Sequence, residues 1–156
     1  MSGRGAERVL QVLVLNGPNL GQLERRPADI YGQESWSEIL ERLQAEARAL
    51  GARLTVHQSD SEAELIRLLH EGEGRFDALI INPGGLSHTS VALRDAIEIF
   101  ARPTIEVHLS NVGAREPFRH PAITGSAAQG VISGLGGQGY RLALLALTRL
   151  VGEEGR

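Results

Sequence analysis

Cysteine is absent from the chain, and so is lysine: the 16 basic residues are all arginine. Without cysteine there are no disulfides and no thiolate catalysis. Without lysine there is no Schiff-base chemistry, no pyridoxal phosphate anchor and no P-loop. Aromatic residues make up only 4% of the sequence, so the core has to be aliphatic and alanine-rich. No apolar run approaches the ~18 residues of a membrane span. The first residues lack the apolar core of a signal peptide, so a cytoplasmic location is expected. Net charge is −3, with no stretch mixing basic and aromatic side chains, which argues against nucleic acid as a partner.

What is present is an ordinary globular composition, 42% hydrophobic and 22% charged, over 156 residues. That length suits one core. Residues 1–8 read as a disordered tail, and 9–156 as one domain without repeat or linker. Val9–Leu15 reads as a buried strand, Arg53–His57 as a second, Ala78–Ile81 as a third, Pro103–Leu109 as a fourth and Gly130–Ser133 as a fifth. Between them lie helical patterns. Ser35 and Glu38 fit a capping box before an apolar stripe that ends at Gly51, and Ser61 with Glu64 fits another. Thr89–Ala101 and Tyr140–Val151 complete the helices. Strands alternating with helices imply a parallel sheet covered on both faces. Ligands in such folds sit beyond the carboxyl ends of the strands. Polar clusters follow this rule: Asn16–Asn19, Gln58–Ser61, Asn82–His88 and His108–Asn111 each trail a strand.

One motif misleads. Gly134–Gly139, GLGGQG, satisfies the dinucleotide pattern, but only 17 residues follow it. A dinucleotide site would need a further strand carrying an acidic residue ~20 positions on. The segment reads instead as a tight strand-to-helix junction.

Four constellations carry possible chemistry, each beside a plainer reading. Arg25, Arg26 and Tyr31 crowd the loop after the first strand. A cation beside a phenol favours phenolate, a usable base; the plainer reading is a surface tyrosine stacked on arginine. Asn82–Ser90, NPGGLSHTS, offers hydroxyl-binding side chains and a close backbone approach, or simply a βα turn. Glu106 and His108 are two apart on a strand and so share a face. The pair suits a general acid, or a structural ion pair. Arg115 and Arg119 are four apart, on one face if helical, as a carboxylate fork or a solvated face. The five histidines form no ligand pair of the H-E-x-x-H kind, so no metal site is legible.

Taken together, several segments in one order resemble type II 3-dehydroquinate dehydratase. They are Leu15–Leu20 (LNGPNL), Tyr31-Gly32, Gln58–Glu62, Asn82–Asp95, Glu106–Asn111, Arg115–Arg119 and Gly130–Tyr140, and the likeness spans roughly residues 9–151. The resemblance implies an α/β flavodoxin-like three-layer fold with a five-stranded parallel sheet. It implies loss of water from 3-dehydroquinate to give 3-dehydroshikimate through an enolate, a step of the shikimate pathway toward chorismate and the aromatic amino acids. It implies no metal and no cofactor. By position, Tyr31 takes the C2 proton and His108, held by Glu106, protonates the departing hydroxyl. Arg26 stabilises phenolate and enolate, and Asn19 sits near the reacting centre. Asn82, His88, Leu109, Ser110 and Arg119 contact substrate. Asp95 reaches a neighbouring site in a homo-oligomer, a dodecamer built from trimers. The loop departs from the family in its arginine–proline spacing: the family reads R-x-P-x-x-Y-G where this chain has Arg25-Arg26-Pro27-Ala28-Asp29-Ile30-Tyr31-Gly32. Counting back from Tyr31 selects Arg26; counting from Pro27 selects Arg25. Glu24 stands where the family has glycine. The alternative is a non-catalytic flavodoxin-like small-molecule binding module.

Overall fold

The computed structural model describes residues 7–154. Five strands form one parallel sheet: β1 (Leu10–Asn16), β2 (Ala52–Gln58), β3 (Ala78–Asn82), β4 (Thr104–His108) and β5 (Gly130–Ser133). Their order is β2-β1-β3-β4-β5, the flavodoxin-like arrangement. The switch in direction falls at β1, with β2 on one side and β3 on the other, Asn16 pairing with both Gln58 and Asn82.

The central strands alternate their side chains between two apolar layers, as a doubly covered sheet requires. Val12, Val14, Ala78 and Ile80 face one layer, built with helix α2 (Trp36–Ala49) and helix α5 (Gln138–Glu154). Leu13, Leu15, Leu79 and Ile81 face the other, with helix α3 (Glu62–Gly72) and helix α4 (Val91–Phe100). A one-turn helix α1 (Ala28–Tyr31) lies in the loop after β1, tucking Leu20, Leu23 and Tyr31 against the first layer.

Local chemistry explains the ends. The Ser35/Glu38 capping box is complete. Gly51, at φ +70°, turns the chain out of α2. At α3 only half of the expected box forms: Ser61 Oγ accepts from the Glu64 N–H, but the Glu64 carboxylate takes the Ser59 hydroxyl instead, at 2.7 Å. The expected helix from Thr89 starts two residues later, at Val91. A 3-10 turn over Gly84–His88 comes first, and Ser90 is the cap. The final helix is longer than its apolar pattern, beginning at Gln138. Of the expected tail 1–8, residues 1–6 lie outside the described residues, while Arg8 donates to Asp77.

The glycines of GLGGQG serve close packing. Gly134 and Gly136 take positive φ, and a Cβ on Gly137 or Gly139 would crowd Ile39 or Val107 at 2.7 and 3.0 Å.

Candidate active site

Three loops at the carboxyl edge of the sheet enclose one cleft. The loop after β1 supplies Leu20, Arg26 and Tyr31; the loop after β3 supplies Asn82, Gly84, Gly85 and His88; β4 and its loop supply His108, Leu109, Ser110, Val112, Arg115 and Arg119. The cluster after β2 does not line it. Gln58 donates to the Gly17 carbonyl at 3.3 Å, and Asp60 accepts from the Asn19 N–H at 2.9 Å, so that loop braces the first one.

Pro27 decides which arginine meets Tyr31. A residue before proline is pushed to extended backbone, and Arg26 is extended, at φ −92° and ψ 154°. Its guanidinium carbon lies 3.6 Å from the centroid of the Tyr31 ring, and a terminal nitrogen donates to the phenol oxygen. Arg25 ends the preceding 3-10 turn, is exposed, and faces a separate cavity on the outside of the loop. Arg115 covers the same ring at 5.0 Å. Burial pulls the Arg26 guanidinium below its ordinary value, the nearby Arg115 and Arg119 push the same way, and Tyr31 opposes them. The cleft therefore concentrates positive charge around one phenol, a setting for an anionic ligand.

Across the cleft stands a buried acid–imidazole pair. Glu106 is 1% exposed and His108 8% exposed. His108 Nε2 meets Glu106 Oε2 at 3.0 Å, leaving Nδ1 to serve a ligand. The other Glu106 oxygen accepts from the Thr124 hydroxyl. His88 stacks near His108, with ring centroids 6.3 Å apart. His88 Nδ1 lies 2.9 Å from the Pro121 carbonyl, which can only accept, so Nδ1 is the donor of that bond.

Asn82 is held from two sides. Its amide nitrogen donates to the Tyr140 hydroxyl at 3.0 Å, and its oxygen accepts from the Gly84 N–H at 3.2 Å. Tyr140 in turn donates to Asn16 Oδ1 at 2.7 Å. Burial pushes the Tyr140 phenol well above its ordinary value, so it stays a donor, although the Asn82 bond pulls the other way. Tyr140 lies 124 residues from Asn16, in the first turn of α5. No spacing in the sequence signals that contact.

The expected residues divide cleanly. Tyr31, Arg26, His108, Asn82, His88, Leu109, Ser110 and Arg119 line the cleft, and Glu106 supports it from behind. Asn19 does not line it: it is exposed, in left-handed backbone at φ 69°. Asp95 is exposed on α4, pairs with Arg94 at 3.1 Å, and lies outside its own chain's cleft. Arg115 and Arg119 share the cleft but not a helix: Arg115 follows one 3-10 turn (Val112–Ala114) and Arg119 ends another (Pro117–Arg119). Glu116 draws them together, 2.7 Å from Arg119 and 3.7 Å from Arg115. The Glu116 residue's own backbone N–H, with that Arg119 bond, holds its carboxyl below the usual range. Among the described residues no three His, Cys, Asp or Glu side chains gather as metal ligands.

Fold and cleft together define a flavodoxin-like α/β protein whose site carries a phenol, an imidazole and guanidinium groups in place of a phosphate-binding loop. The chain belongs to the dehydroquinase class II family, which it matches over residues 10–148. The 3-dehydroquinate dehydratase of Halalkalibacterium halodurans is 50% identical over 143 residues, covering 92% of this chain and 97% of its own. That of Mycobacterium avium is 53% identical over 133 residues, covering 85% and 93%. The crystal structure of type II dehydroquinase from Propionibacterium acnes matches with a TM-score of 0.85 at 42% identity, covering 89% of this chain and 96% of the other.

Proposed function

We propose that the chain is a carbon–oxygen lyase that removes water from 3-dehydroquinate to give 3-dehydroshikimate. One observation carries the reading: a phenol under two guanidinium groups and a carboxylate-held imidazole share a single cleft. Elimination needs a base on one side of the substrate and an acid on the other.

Tyr31, as phenolate, takes the C2 proton. The electron pair left behind forms an enolate, and Arg26 lies where charge on phenolate or enolate is offset. His108, as imidazolium beside Glu106, gives its proton to the C1 hydroxyl. The C1–O bond breaks, C1 and C2 become doubly bonded, and water leaves. Tyr31 then returns its proton to solvent and His108 regains one. Arg119 and the Leu109-Ser110 segment hold the substrate, with Asn82 and His88 on its hydroxyls. The loop bearing Arg26 and Tyr31 acts as a lid. Asn19 supports that lid through Asp60 and lies near the reacting centre once it closes on substrate.

The working form is a homo-oligomer, trimers assembled into a dodecamer, in which Asp95 serves a neighbouring cleft. Its exposed place on α4, between Val91 (57% exposed) and Ile99 (53%), fits a helix face covered by another copy. Residues 9–156 act as one catalytic domain, in the cytoplasm. Light scattering tests the assembly. The reaction is tested by mixing the protein with 3-dehydroquinate, a chelator present and no cofactor added, and following near-ultraviolet absorbance. The product is a conjugated enone and the substrate is not. A rise supports the reading; a flat trace from folded, assembled protein overturns it.

A further inference from the structure

Glu106 is a buried carboxylate with two oxygens to satisfy, and only one of them meets His108. The other accepts from Thr124, a residue with no exposed surface, 18 positions on and outside the cleft. Thr124 opens a 3-10 turn (Thr124–Ala127), and that turn is pinned from outside: the Ile123 N–H donates to the Ser87 carbonyl at 2.8 Å. Next to it, Gly125 leaves the carboxylate room, since a Cβ there would stand 3.2 Å from Oε2. Threonine's branched Cβ restricts its first side-chain torsion, so on a fixed backbone the hydroxyl has few directions open to it, and the one it takes meets Glu106. We propose that Thr124 is a positioning residue for the general acid: its hydroxyl locks the rotation of the Glu106 carboxylate and thereby aims the His108 ring. The same bond thus sets the direction of the pair.

The inference rests on the dehydratase reading, and its test separates the two. Thr124→Val keeps the shape and removes the hydroxyl. Its expected kcat is about 10- to 150-fold lower, the scale of one hydrogen bond to a charged group, with KM unchanged because no substrate contact is lost. Thr124→Ser restores most of the lost kcat. In a Glu106→Gln background, Thr124→Val adds little further loss, since the two act as one unit. Unchanged kcat in Thr124→Val, no recovery with serine, or an equal loss in both backgrounds overturns the proposal. Where the valine variant does not fold, Thr124→Ser against Thr124→Cys asks the same question, because a thiol is a weak donor. A cysteine variant as fast as the serine variant overturns the proposal. If the unaltered chain shows no turnover, the dehydratase reading fails. The positioning is then decided by nuclear magnetic resonance of the His108 ring nitrogens, which should shift in Thr124→Val and return in Thr124→Ser.

Discussion

Replacing Arg26 by glutamine, with Arg25 replaced in parallel, tests what the loop after β1 contributes to the proposed chemistry. The Arg26 side chain both donates to the Tyr31 hydroxyl and covers its ring at 3.6 Å. A hydrogen bond to a charged group contributes about 1.5–3 kcal/mol, which is about 10- to 150-fold in rate. Arg26 is half-buried, so solvent screening places the effect in the lower part of that range. Arg115, at 5.0 Å from the same ring, retains part of the positive charge and limits the loss further. The expected result is a kcat about 10- to 50-fold lower in Arg26→Gln, read from the absorbance rise at saturating 3-dehydroquinate. Arg25→Gln keeps the parent rate, because its side chain is exposed on the outer side of the loop. The refuting outcome is the reverse: a large loss in Arg25→Gln with Arg26→Gln unaffected. That would mean the lid closes on substrate with the other arginine inward, and that Pro27 does not set the orientation.

Four further outcomes follow from the same geometry. Tyr31→Phe keeps the ring in the core layer and removes the base, so turnover should fall about 10²–10⁴-fold with an unchanged melting temperature; near-parent turnover would reject Tyr31 as the base. Tyr140→Phe strips partners from Asn16 and Asn82 and should cost about 1–3 kcal/mol in denaturant titration while raising KM. The same residue gives a pH signature. Tyr140 stays neutral in the folded chain but ionises near its ordinary value of ~10 when unfolded. The unfolded state therefore binds fewer protons above that pH, and stability falls as pH rises past about 10. Tyr140→Phe should flatten that slope, and an identical slope would refute the assignment. Gly84→Ala should destabilise by about 1–3 kcal/mol. Gly84 sits at φ +59°, and its Cβ would stand 2.9 Å from the Pro18 carbonyl oxygen. A neutral substitution would show that the β1 and β3 loops are not interlocked.

Much of this protein is determined by local rules that a sequence displays. Apolar strands bounded by polar clusters, the Ser35 cap and the Gly51 stop depend on residues close in the chain, so the order of residues alone makes them legible. The carboxyl-edge rule for parallel sheets brings Tyr31, Asn82 and His108 to one cleft in the same way. Residues 106 and 108 share a face by strand period alone.

Long-range contacts carry no such signal. Tyr140 meets Asn16 and Asn82, and Thr124 meets Glu106, only because helix α5 and the turn before β5 pack where the sheet order puts them. Gln58 and Asp60 follow a strand as the rule demands, yet β2 is the edge strand, so its loop braces the loop after β1 and does not line the cleft. Arg115 and Arg119, spaced for one helix, meet instead through a 3-10 turn and Glu116. Whether Arg25 or Arg26 lies over Tyr31 depends on backbone direction: proline drives its neighbour to extended geometry, and only the folded loop shows that this direction brings Arg26 over the ring.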